Sequence, residues 1–231
     1  MPVGFGTSWQ FIGGTDSASY RLYDRLRRRV NGGLVSFICG HLPSPVLGDA
    51  GRGAAAHLNV LEAGSGTAFA SSLFAKRRGV SMAICLDIDI AALKEARRRD
   101  PDIVAVAGDL MRMPFRDDAF GVAFNSSTLE HLVDPQGAVR EMQRVVCGNG
   151  RVFVGLPYSR GPLFFQPLIR GTRIGVWLGE VFSRSSLDSL LASAGLVPVK
   201  HRRYFWRFFI GAVAVKSDSR SVDRAGGVVS C

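Results

Sequence analysis

The stretch His57–Ala68, which reads HLNVLEAGSGTA, carries the pattern that decides the fold. An apolar run leads into an acidic residue, Glu62, and then into a turn that contains Gly64 and Gly66. Because glycine has no Cβ, the backbone can turn sharply there and a ligand can approach the main chain closely. A helix that begins just after the turn would direct its unpaired N–H groups toward such a ligand. The stretch therefore predicts a strand, a ligand-binding turn and a helix. A single Gly-x-Gly also occurs in ordinary strand-to-helix turns that bind no ligand.

The segments after this turn alternate between strand-like and helix-like patterns. The predicted strands are residues 58–61, 81–86, 103–107, 120–125, 151–156, 197–205 and 208–215, and the predicted helices are 69–78, 90–99, 135–146 and 185–194. Near-continuous apolar strands between amphipathic helices indicate a parallel sheet covered on both faces. The last two strands follow each other closely and are expected to pair in antiparallel fashion. We therefore expect an α/β, Rossmann-like, seven-stranded sheet, mostly parallel with an antiparallel C-terminal strand and helices on both faces.

Composition divides the chain into three regions. Residues 1–56 hold a predicted basic helix and a link rich in glycine and proline, and residues 57–215 hold the predicted sheet domain. Within that domain an insertion at about 158–184 follows the fifth strand. Its apolar part, LFFQPLIRGTRIGVWLGEVF, is interpreted as a lid over the substrate or, equally, as a loop that closes over its own core. Residues 216–231 are predicted to be a disordered tail.

The net charge of +10 is distributed unevenly. Residues 57–155 carry twelve basic and twelve acidic side chains, so the whole excess lies in the flanking regions. Basic flanks favour an anionic substrate, nucleic acid or an acidic membrane surface, and an arginine-rich proteome would produce the same balance. No run of 18 apolar residues predicts a transmembrane helix, and the first residues do not resemble a signal peptide, so we expect a cytoplasmic protein. The scattered cysteines have no metal-ligand spacing, and we expect no metal.

Polar side chains follow four of the predicted strands at the point where each strand ends. These residues are Glu62, Asp87, Asp109 and Asn125. The carboxyl ends of parallel strands form the ligand-binding edge of an open sheet. Carboxylates at the ends of three strands in series are well suited to accept hydrogen bonds from a ribose, an adenine amino group and an ammonium. For each residue alone, a helix cap or a turn is the simpler interpretation.

Four motifs occur in order along residues 57–157: VLEAGSGTA, LDIDIAALKEA, GDLMRMPFRDDAFGVAFNSSTLEHL and REMQRVVCGNGRVFVGLP. In residue type and spacing they resemble the class I S-adenosylmethionine-dependent methyltransferases, and most of all the small-molecule branch called type 11. The helix and strand pair over 185–215 also fits the antiparallel end of that fold. Residues 1–56 and 158–184 carry no motif of the family.

The resemblance implies a binding site for S-adenosyl-L-methionine. Glu62 would hold the methionine ammonium through water, and Asp87 would accept both ribose hydroxyls. Asp109 would accept the adenine amino group, with the main chain of Leu110 beside the ring, and Asn125 would help to line the methionine end. The complete implied cofactor set is Glu62, Gly64, Ser65, Gly66, Asp87, Ile88, Asp109, Leu110, Asn125 and Ser126.

Two positions depart from the family pattern. Ala68 stands where the family has a third glycine, a change that a helix N-terminus should tolerate. Gly121 stands where the family has an acidic residue, which should affect local stability more than cofactor binding. Phe69 also argues against a dinucleotide site, because the G-x-G-x-x-G fingerprint needs a glycine there for close helix–strand packing.

Methyl transfer from a sulfonium is an in-line displacement, so positioning and the exclusion of water supply much of the catalysis. An oxygen or nitrogen nucleophile can still need a base. His131, in the pair Glu130-His131 after the fourth strand, is the candidate catalytic residue, and the alternative is that the pair only orients its loop. Tyr158, just past the fifth strand, is a weaker candidate for contact with the substrate.

A small molecule, anionic or amphipathic, is the acceptor that the sequence favours. Nucleic acid is less favoured, because the position after the fourth strand reads Asn125-Ser-Ser-Thr128 and lacks the Asn-Pro-Pro motif of enzymes that methylate base amino groups. Basic and aromatic residues are mixed in the run Lys200–Phe209, so RNA remains an alternative methyl acceptor. A protein acceptor is a further alternative. A non-catalytic scaffold that binds the cofactor is a further alternative. Peripheral membrane contact is also open, and the sequence gives no information on oligomeric state.

Overall fold

The computed structural model describes residues 18–42, 58–169 and 179–217. Most of the predicted link over 40–56, the centre of the predicted insertion at 170–178 and most of the predicted tail over 216–231 lie outside the described residues. Within the described part of the chain, no helix is long and apolar enough to cross a membrane. The same ranges contain no group of three or more His, Cys, Asp or Glu that could hold a metal ion.

Seven strands form one sheet in the order β3-β2-β1-β4-β5-β7-β6. The strands are β1 (Leu58–Ala63), β2 (Val80–Asp87), β3 (Val104–Ala107), β4 (Phe120–Ser126), β5 (Val146–Pro157), β6 (Leu196–Tyr204) and β7 (Phe209–Lys216). The pairs among β1 to β5 are all parallel, whereas β7 runs antiparallel to both β5 and β6. The predicted fold class is therefore confirmed. The sheet order reverses between β1 and β4, which is the position where an open α/β sheet binds its ligand.

The helices pack on both faces of the sheet. They are α1 (Ala18–Cys39), α2 (Phe69–Ala75), α3 (Ile90–Arg99), α4 (Pro135–Val145), α5 (Gln166–Ile169) and α6 (Arg184–Ser193), with a short 3₁₀ turn at Leu129–His131. One buried cluster joins α1, α2 and α3 to one face of the sheet, and a second joins α4 and α6 to the other. The ligand edge is therefore supported by a complete three-layer α/β core.

Helix starts follow the local capping chemistry. The Asp89 carboxylate accepts hydrogen bonds from the amides of Ala91 and Ala92 at the start of α3. At the start of α4 the Asp134 carboxylate accepts a hydrogen bond from the amide of Gly137, and Pro135 occupies the first turn and has no amide hydrogen to satisfy. These caps fix the direction in which each helix leaves the edge where the strands end.

Two elements extend well beyond their predicted bounds. The predicted basic helix Ser19–Val30 is observed as Ala18–Cys39, although Gly32 and Gly33 are poor helix formers. Burial of Leu34, Val35 and Ile38 in the core outweighs that local preference. The fifth strand begins at Val146 rather than at 151, because α4 runs into it without an intervening turn and a register shift separates the two parts of the strand.

Hydrogen bonds to the main chain fix α1 and the turn after it on the sheet. The Arg202 guanidinium on β6 donates to the carbonyl of Gly33 at 2.9 Å. Arg151 on β5 donates to the carbonyl of His41, also at 2.9 Å. α1 is thus packed and hydrogen-bonded into the same core as the strands.

Candidate functional site

The glycine turn after β1 is held against the end of β2. The amides of Gly64 and Ser65 both donate to the carbonyl of Leu86, at 2.8 and 3.0 Å. Gly64 has a φ of +71°, and a Cβ placed there would lie 2.7 to 3.0 Å from the side chain of Thr128. The Thr128 hydroxyl in turn donates to the Gly64 carbonyl at 2.9 Å. Any side chain at position 64 would therefore separate the turn from the loop after β4.

Asp87 connects this turn to the end of β2. Its Oδ2 accepts a hydrogen bond from the amide of Gly66 at 2.6 Å, and its Oδ1 accepts one from the amide of Asp89 at 2.9 Å. Each carboxylate oxygen has a second acceptor direction. Two backbone donors thus hold the carboxylate, and Asp87 remains partly exposed.

Glu62 is buried at the end of β1 and faces the start of α2. Its Oε2 accepts hydrogen bonds from the amide and the hydroxyl of Ser71, at 2.8 and 2.7 Å. On the neighbouring strand, burial and the negative charge of Glu62 raise the pKa of the Cys85 thiol to about 12. Cys85 therefore remains a neutral thiol beside the carboxylate. Sequence analysis predicted Glu62 but not Ser71, whose hydroxyl is an ordinary feature of a helix.

Asp109 and Leu110 lie beside Asp87. The amide of Gly108 donates to the Asp87 carbonyl at 3.0 Å, which brings the ends of β2 and β3 together. The exposed Asp109 carboxylate accepts a hydrogen bond from the amide of Met111 at 2.9 Å, while Leu110 is buried. Ile88 is 67% exposed directly after Asp87. An apolar surface and a carboxylate thus flank the position expected for an adenine ring.

Asn125 and Ser126 occupy different environments at the end of β4. The Asn125 amide is fully buried and donates to the carbonyl of Ala63 at 2.5 Å, whereas its Oδ1 has no hydrogen-bond partner within the described residues. The Ser126 hydroxyl hydrogen-bonds to the hydroxyl of Tyr204 at 2.7 Å. Tyr204 lies 78 residues along the chain from Ser126, and nothing in the local sequence pointed to it.

Glu130 and His131 form a buried pair in the 3₁₀ turn after β4. Glu130 Oε1 accepts a hydrogen bond from the Ser127 hydroxyl at 2.8 Å and lies 3.9 Å from His131 Nε2. Glu130 Oε2 is buried and has no hydrogen-bond partner among the residues that the structure describes. Burial raises the pKa of Glu130 to about 7 and lowers the pKa of His131 below its usual range. Burial therefore disfavours the charged form of both side chains.

Gly179, near the end of the predicted insertion, packs on this pair. A Cβ on Gly179 would lie 2.7 Å from Glu130 Cγ and 2.9 Å from the His131 ring, and the backbone there has a φ of +66°. The buried Gln166 side chain donates to the Gly179 carbonyl at 2.5 Å. Tyr158 is buried as well, and its amide donates to Phe208 at the start of the β7 hairpin. The region predicted as a lid thus packs directly on the candidate base.

The two departures from the family pattern have separate structural explanations. Ala68 has a φ of +52°, a left-handed conformation that favours glycine. Gly121 faces the side chain of Leu58, and a Cβ at position 121 would overlap that side chain. Leu58 therefore occupies the space that a side chain at 121 would need.

A scan against protein families matches residues 61–154 to the family described as Methyltransferase domain. Residues 61–154 of this chain are therefore similar in sequence to a methyltransferase domain. Over 141 residues the chain is 33% identical to a probable S-adenosylmethionine-dependent methyltransferase of Mycobacterium tuberculosis, covering 61% of this chain and 49% of that protein. Over 95 residues it is 37% identical to a demethylmenaquinone methyltransferase of Paenarthrobacter aurescens, covering 41% of this chain and 37% of the relative. The chain thus spans about half or less of the length of these relatives.

Solved methyltransferase structures share the fold over nearly the whole chain. Magnesium protoporphyrin IX methyltransferase of Synechocystis, solved with bound SAH, superposes with a TM-score of 0.68 at 15% identity, covering 94% of this chain and 96% of that one. A possible histamine N-methyltransferase of Thermotoga maritima superposes with a TM-score of 0.65 at 16% identity, covering 90% and 99%. At these identities the similarity establishes the fold.

Proposed function

We propose that this chain binds S-adenosylmethionine where β1 to β4 end and transfers its methyl group to a small apolar or amphipathic molecule. The observation that carries the proposal is the Asp87 carboxylate, which is fixed by the amides of Gly66 and Asp89 beside the glycine turn and remains partly exposed. A carboxylate held in this way is prepared to accept two adjacent hydroxyl donors without reorganisation.

The other residues of the edge fit the same cofactor. Gly64 and Gly66 have positive φ values and bring bare backbone to the site. The buried Asn125 Oδ1 lacks a partner within the described part of the chain and can accept a hydrogen bond from a ligand. Asp109 and the main chain of Leu110 would hold the adenine, and Glu62 would attract the positive charge of the methionine ammonium. Ser65, Ile88 and Ser126 complete the proposed contact surface.

When bound, the cofactor supplies a methyl group on a positively charged sulfur. The chain then has to orient the acceptor, exclude water and, for an acceptor that carries a proton, remove that proton. We propose His131 for the last task. Burial keeps its pKa low, so the ring is neutral and able to accept a proton at pH 7. The adjacent Glu130 carboxyl would stabilise the imidazolium that forms.

Buried side chains at this end of the sheet are compatible with an acceptor that has an apolar body. Tyr158, Tyr204 and Leu163 are buried where β5 ends and β7 begins, with the Ser126 hydroxyl beside them. Several relatives are named demethylmenaquinone methyltransferase, and an apolar aromatic acceptor of that kind is compatible with this lining. We therefore place an apolar or amphipathic small molecule ahead of nucleic acid.

Isothermal titration calorimetry with S-adenosylmethionine tests the cofactor proposal. Asp87→Ala should weaken binding by at least about tenfold, since two charge-assisted hydrogen bonds are lost. Asp102→Ala removes an exposed carboxylate before β3 and should leave the affinity unchanged. If the wild-type chain shows no heat of binding at micromolar cofactor, or if Asp87→Ala binds as tightly, the proposal is wrong.

A second experiment addresses the acceptor and the base. The protein is incubated with methyl-labelled cofactor and cell extract, which is then separated into lipid, aqueous small-molecule, RNA and protein fractions. The label is expected in the lipid fraction, and label confined to RNA or protein would overturn the proposed acceptor class. With the acceptor identified, His131→Asn should reduce kcat and remove the acidic limb of its pH profile while the cofactor affinity is unchanged. A shift in cofactor affinity alone would make His131 structural.

A further inference from the structure

Large apolar side chains are exposed on two neighbouring turns of the sheet edge where β5 ends. Phe164 is 70% exposed, Phe165 39%, Leu168 88% and Trp206 68%. The first three lie in the segment after β5, and Trp206 lies in the turn between β6 and β7. We refer to Phe164, Phe165, Leu168 and Trp206 as the aromatic rim. Exposed apolar side chains are common singly, but four of this size on adjacent turns indicate a contact surface.

Backbone contacts place the two turns next to each other. The amide of Tyr158 donates to the carbonyl of Phe208 at 2.8 Å. Gly161 packs so closely on the carbonyl of Arg207 that a Cβ there would overlap it. The amide of Phe164 donates to the Gly161 carbonyl, which continues the contact into the rim. The rim therefore borders the same edge of the sheet as the candidate site.

Charge at the rim has a single sign. Arg160 and Arg207 are exposed on the same two turns, and Arg203 is exposed near the end of β6. Residues 157–168 and 196–209 contain no aspartate or glutamate. A surface with aromatic and aliphatic side chains beside arginines matches the interface of an anionic bilayer, where rings lie among the headgroups and guanidinium groups bind phosphates.

The turn that displays Trp206 has an unusual backbone. Phe205, Trp206 and Arg207 have φ values of +50°, +51° and +67°, which side chains other than glycine and asparagine rarely adopt. The Phe205 ring packs against Phe208 and Phe209, so the turn is anchored on its inner side while Trp206 points outward. Strained backbone of this kind is retained where the position of a side chain matters.

We propose that the aromatic rim docks this protein on an anionic lipid surface. Trp206, Leu168 and Phe164 enter the interface, and the three arginines contact lipid phosphates. Because the rim borders the site, docking would present that site to an apolar acceptor held in the bilayer; this consequence, though not the docking itself, rests on the proposed function.

Vesicle co-sedimentation of the full chain tests the proposal. Phosphatidylcholine vesicles with and without about one third phosphatidylglycerol serve as the probe, at low and at physiological salt. Binding is expected only with the anionic lipid and should weaken as salt rises. The double variant Leu168→Ser with Trp206→Asn should reduce binding by about tenfold or more, because each side chain loses its burial. Asparagine is chosen because it tolerates a positive φ.

Matched controls separate the rim from general effects. Met82→Ser removes a side chain that is 45% exposed near the amino end of β2 and should bind vesicles like the wild type. Arg203→Gln with Arg207→Gln should weaken binding more than Arg116→Gln, which removes an exposed arginine elsewhere. The proposal would be overturned if the rim variant bound vesicles as well as the wild type. It would also be overturned if Met82→Ser lost as much vesicle binding as the rim variant.

If the rim binds a different partner, other measurements will show it. A dimer seen by light scattering that the rim variant abolishes would assign the surface to a second copy of this chain. Tighter binding to single-stranded RNA than to vesicles would assign it to nucleic acid. Either outcome replaces the lipid proposal. Cofactor affinity of the rim variant, measured by calorimetry, should equal that of the wild type, so failure of docking and failure of the proposed function are distinguishable.

Discussion

At the scale of single residues, Ala68 affects the free energy of unfolding in two opposing ways. Its left-handed backbone costs about 1–2 kcal/mol relative to glycine. Its methyl group is completely buried, which contributes about 0.8 kcal/mol, and alanine restricts the unfolded chain by a similar amount. The terms nearly cancel, so Ala68→Gly is expected to change the free energy of unfolding by less than about 0.5 kcal/mol. Urea denaturation measures this difference.

Ala70→Gly is the control for that measurement. Ala70 is equally buried but lies in regular α2, so its replacement loses burial and helix propensity without relief of strain. A destabilisation of about 1–2 kcal/mol is expected. If both variants lost the same stability, the positive φ at Ala68 would carry no cost.

Glu130 should make the stability of this protein depend on pH. Its pKa lies near 7 in the folded state, against 4.5 for an unperturbed glutamate, because the carboxyl is buried. Between these values the folded protein holds a proton that the unfolded chain has released, so the free energy of unfolding falls as pH rises from about 4.5 to 7. The full gap corresponds to about 3 kcal/mol. Glu130→Gln should remove this loss, so the variant gains stability over the wild type at pH 8 but not at pH 4.5.

Glu141→Gln is the control variant, because the pKa of Glu141 is shifted in the opposite direction to that of Glu130. Hydrogen bonds from Arg144 lower the pKa of Glu141, so its contribution is constant above the normal titration range of a glutamate and decreases only at lower pH. Denaturant unfolding at pH 5 and 8 should show the wild-type pH dependence in Glu141→Gln and a weaker dependence in Glu130→Gln. A wild-type dependence in Glu130→Gln would show that its carboxyl is ionised throughout.

The position of the candidate acids near the ends of strands could be predicted, because each comes at the end of an apolar run in the sequence; their role in binding stays a prediction. Their partners could not be predicted. Ser71 contacts Glu62 from within α2, and Tyr204 reaches Ser126 from the far end of the chain. Such hydrogen bonds depend on how the strands and helices pack together, and a local sequence pattern does not predict that packing. The burial of Glu130 is similar, because Gly179 covers it from a distant segment.

At the scale of elements, α1 should contribute directly to the stability of the fold. Leu34 is 1% exposed in the cluster on that face of the sheet, and Leu34→Ala should cost about 2–5 kcal/mol. Arg29→Ala, at an exposed position of the same helix, should change the stability by less than about 0.5 kcal/mol. Thermal or urea unfolding of both variants checks this. A Leu34→Ala variant as stable as the wild type would show that α1 is not part of the cooperative unit.

Strand and helix types could be predicted from apolar periodicity, whereas several ends could not. α3 matches its predicted bounds of 90–99, since Asp89 caps its start and Pro101 follows its end. α1 continues through Gly32 and Gly33 because tertiary burial exceeds the helix propensity of those residues. β5 begins early because its first residues pair with Phe120 across a register shift. Ends set by local capping are readable from sequence, and ends set by packing are not.

At the scale of the whole molecule, cofactor binding should raise the stability of the entire domain. The proposed site joins the ends of β1 to β4, so unfolding would release the ligand. At a ligand concentration 100 times Kd, the free energy of unfolding should rise by about 2.7 kcal/mol. S-adenosylhomocysteine is expected to raise Tm for the wild type and for Asp102→Ala. Asp87→Ala should show little increase at the same concentration, and an equal increase would contradict the role given to Asp87.

The strand order could be predicted only in part. Near-continuous apolar strands indicated a parallel sheet, and the close spacing of the last two strands indicated an antiparallel pair. Neither pattern predicts that β7 lies between β5 and β6. In that arrangement β7 pairs with β5, which precedes it in the chain by some fifty residues. The resemblance to the methyltransferase family indicated an antiparallel C-terminal strand, and its place in the sheet comes from the structure.

The interior position of β7 has a consequence for the order of events during synthesis. Until residues 209–216 have left the ribosome, β5 has an unpaired edge and β6 has no neighbour in the sheet. Domains usually begin to fold while they are being made, and unpaired strand edges favour aggregation. A nascent chain that stalls before Phe209 would therefore expose the unpaired strand edges of an incomplete sheet to chaperones and to other nascent chains.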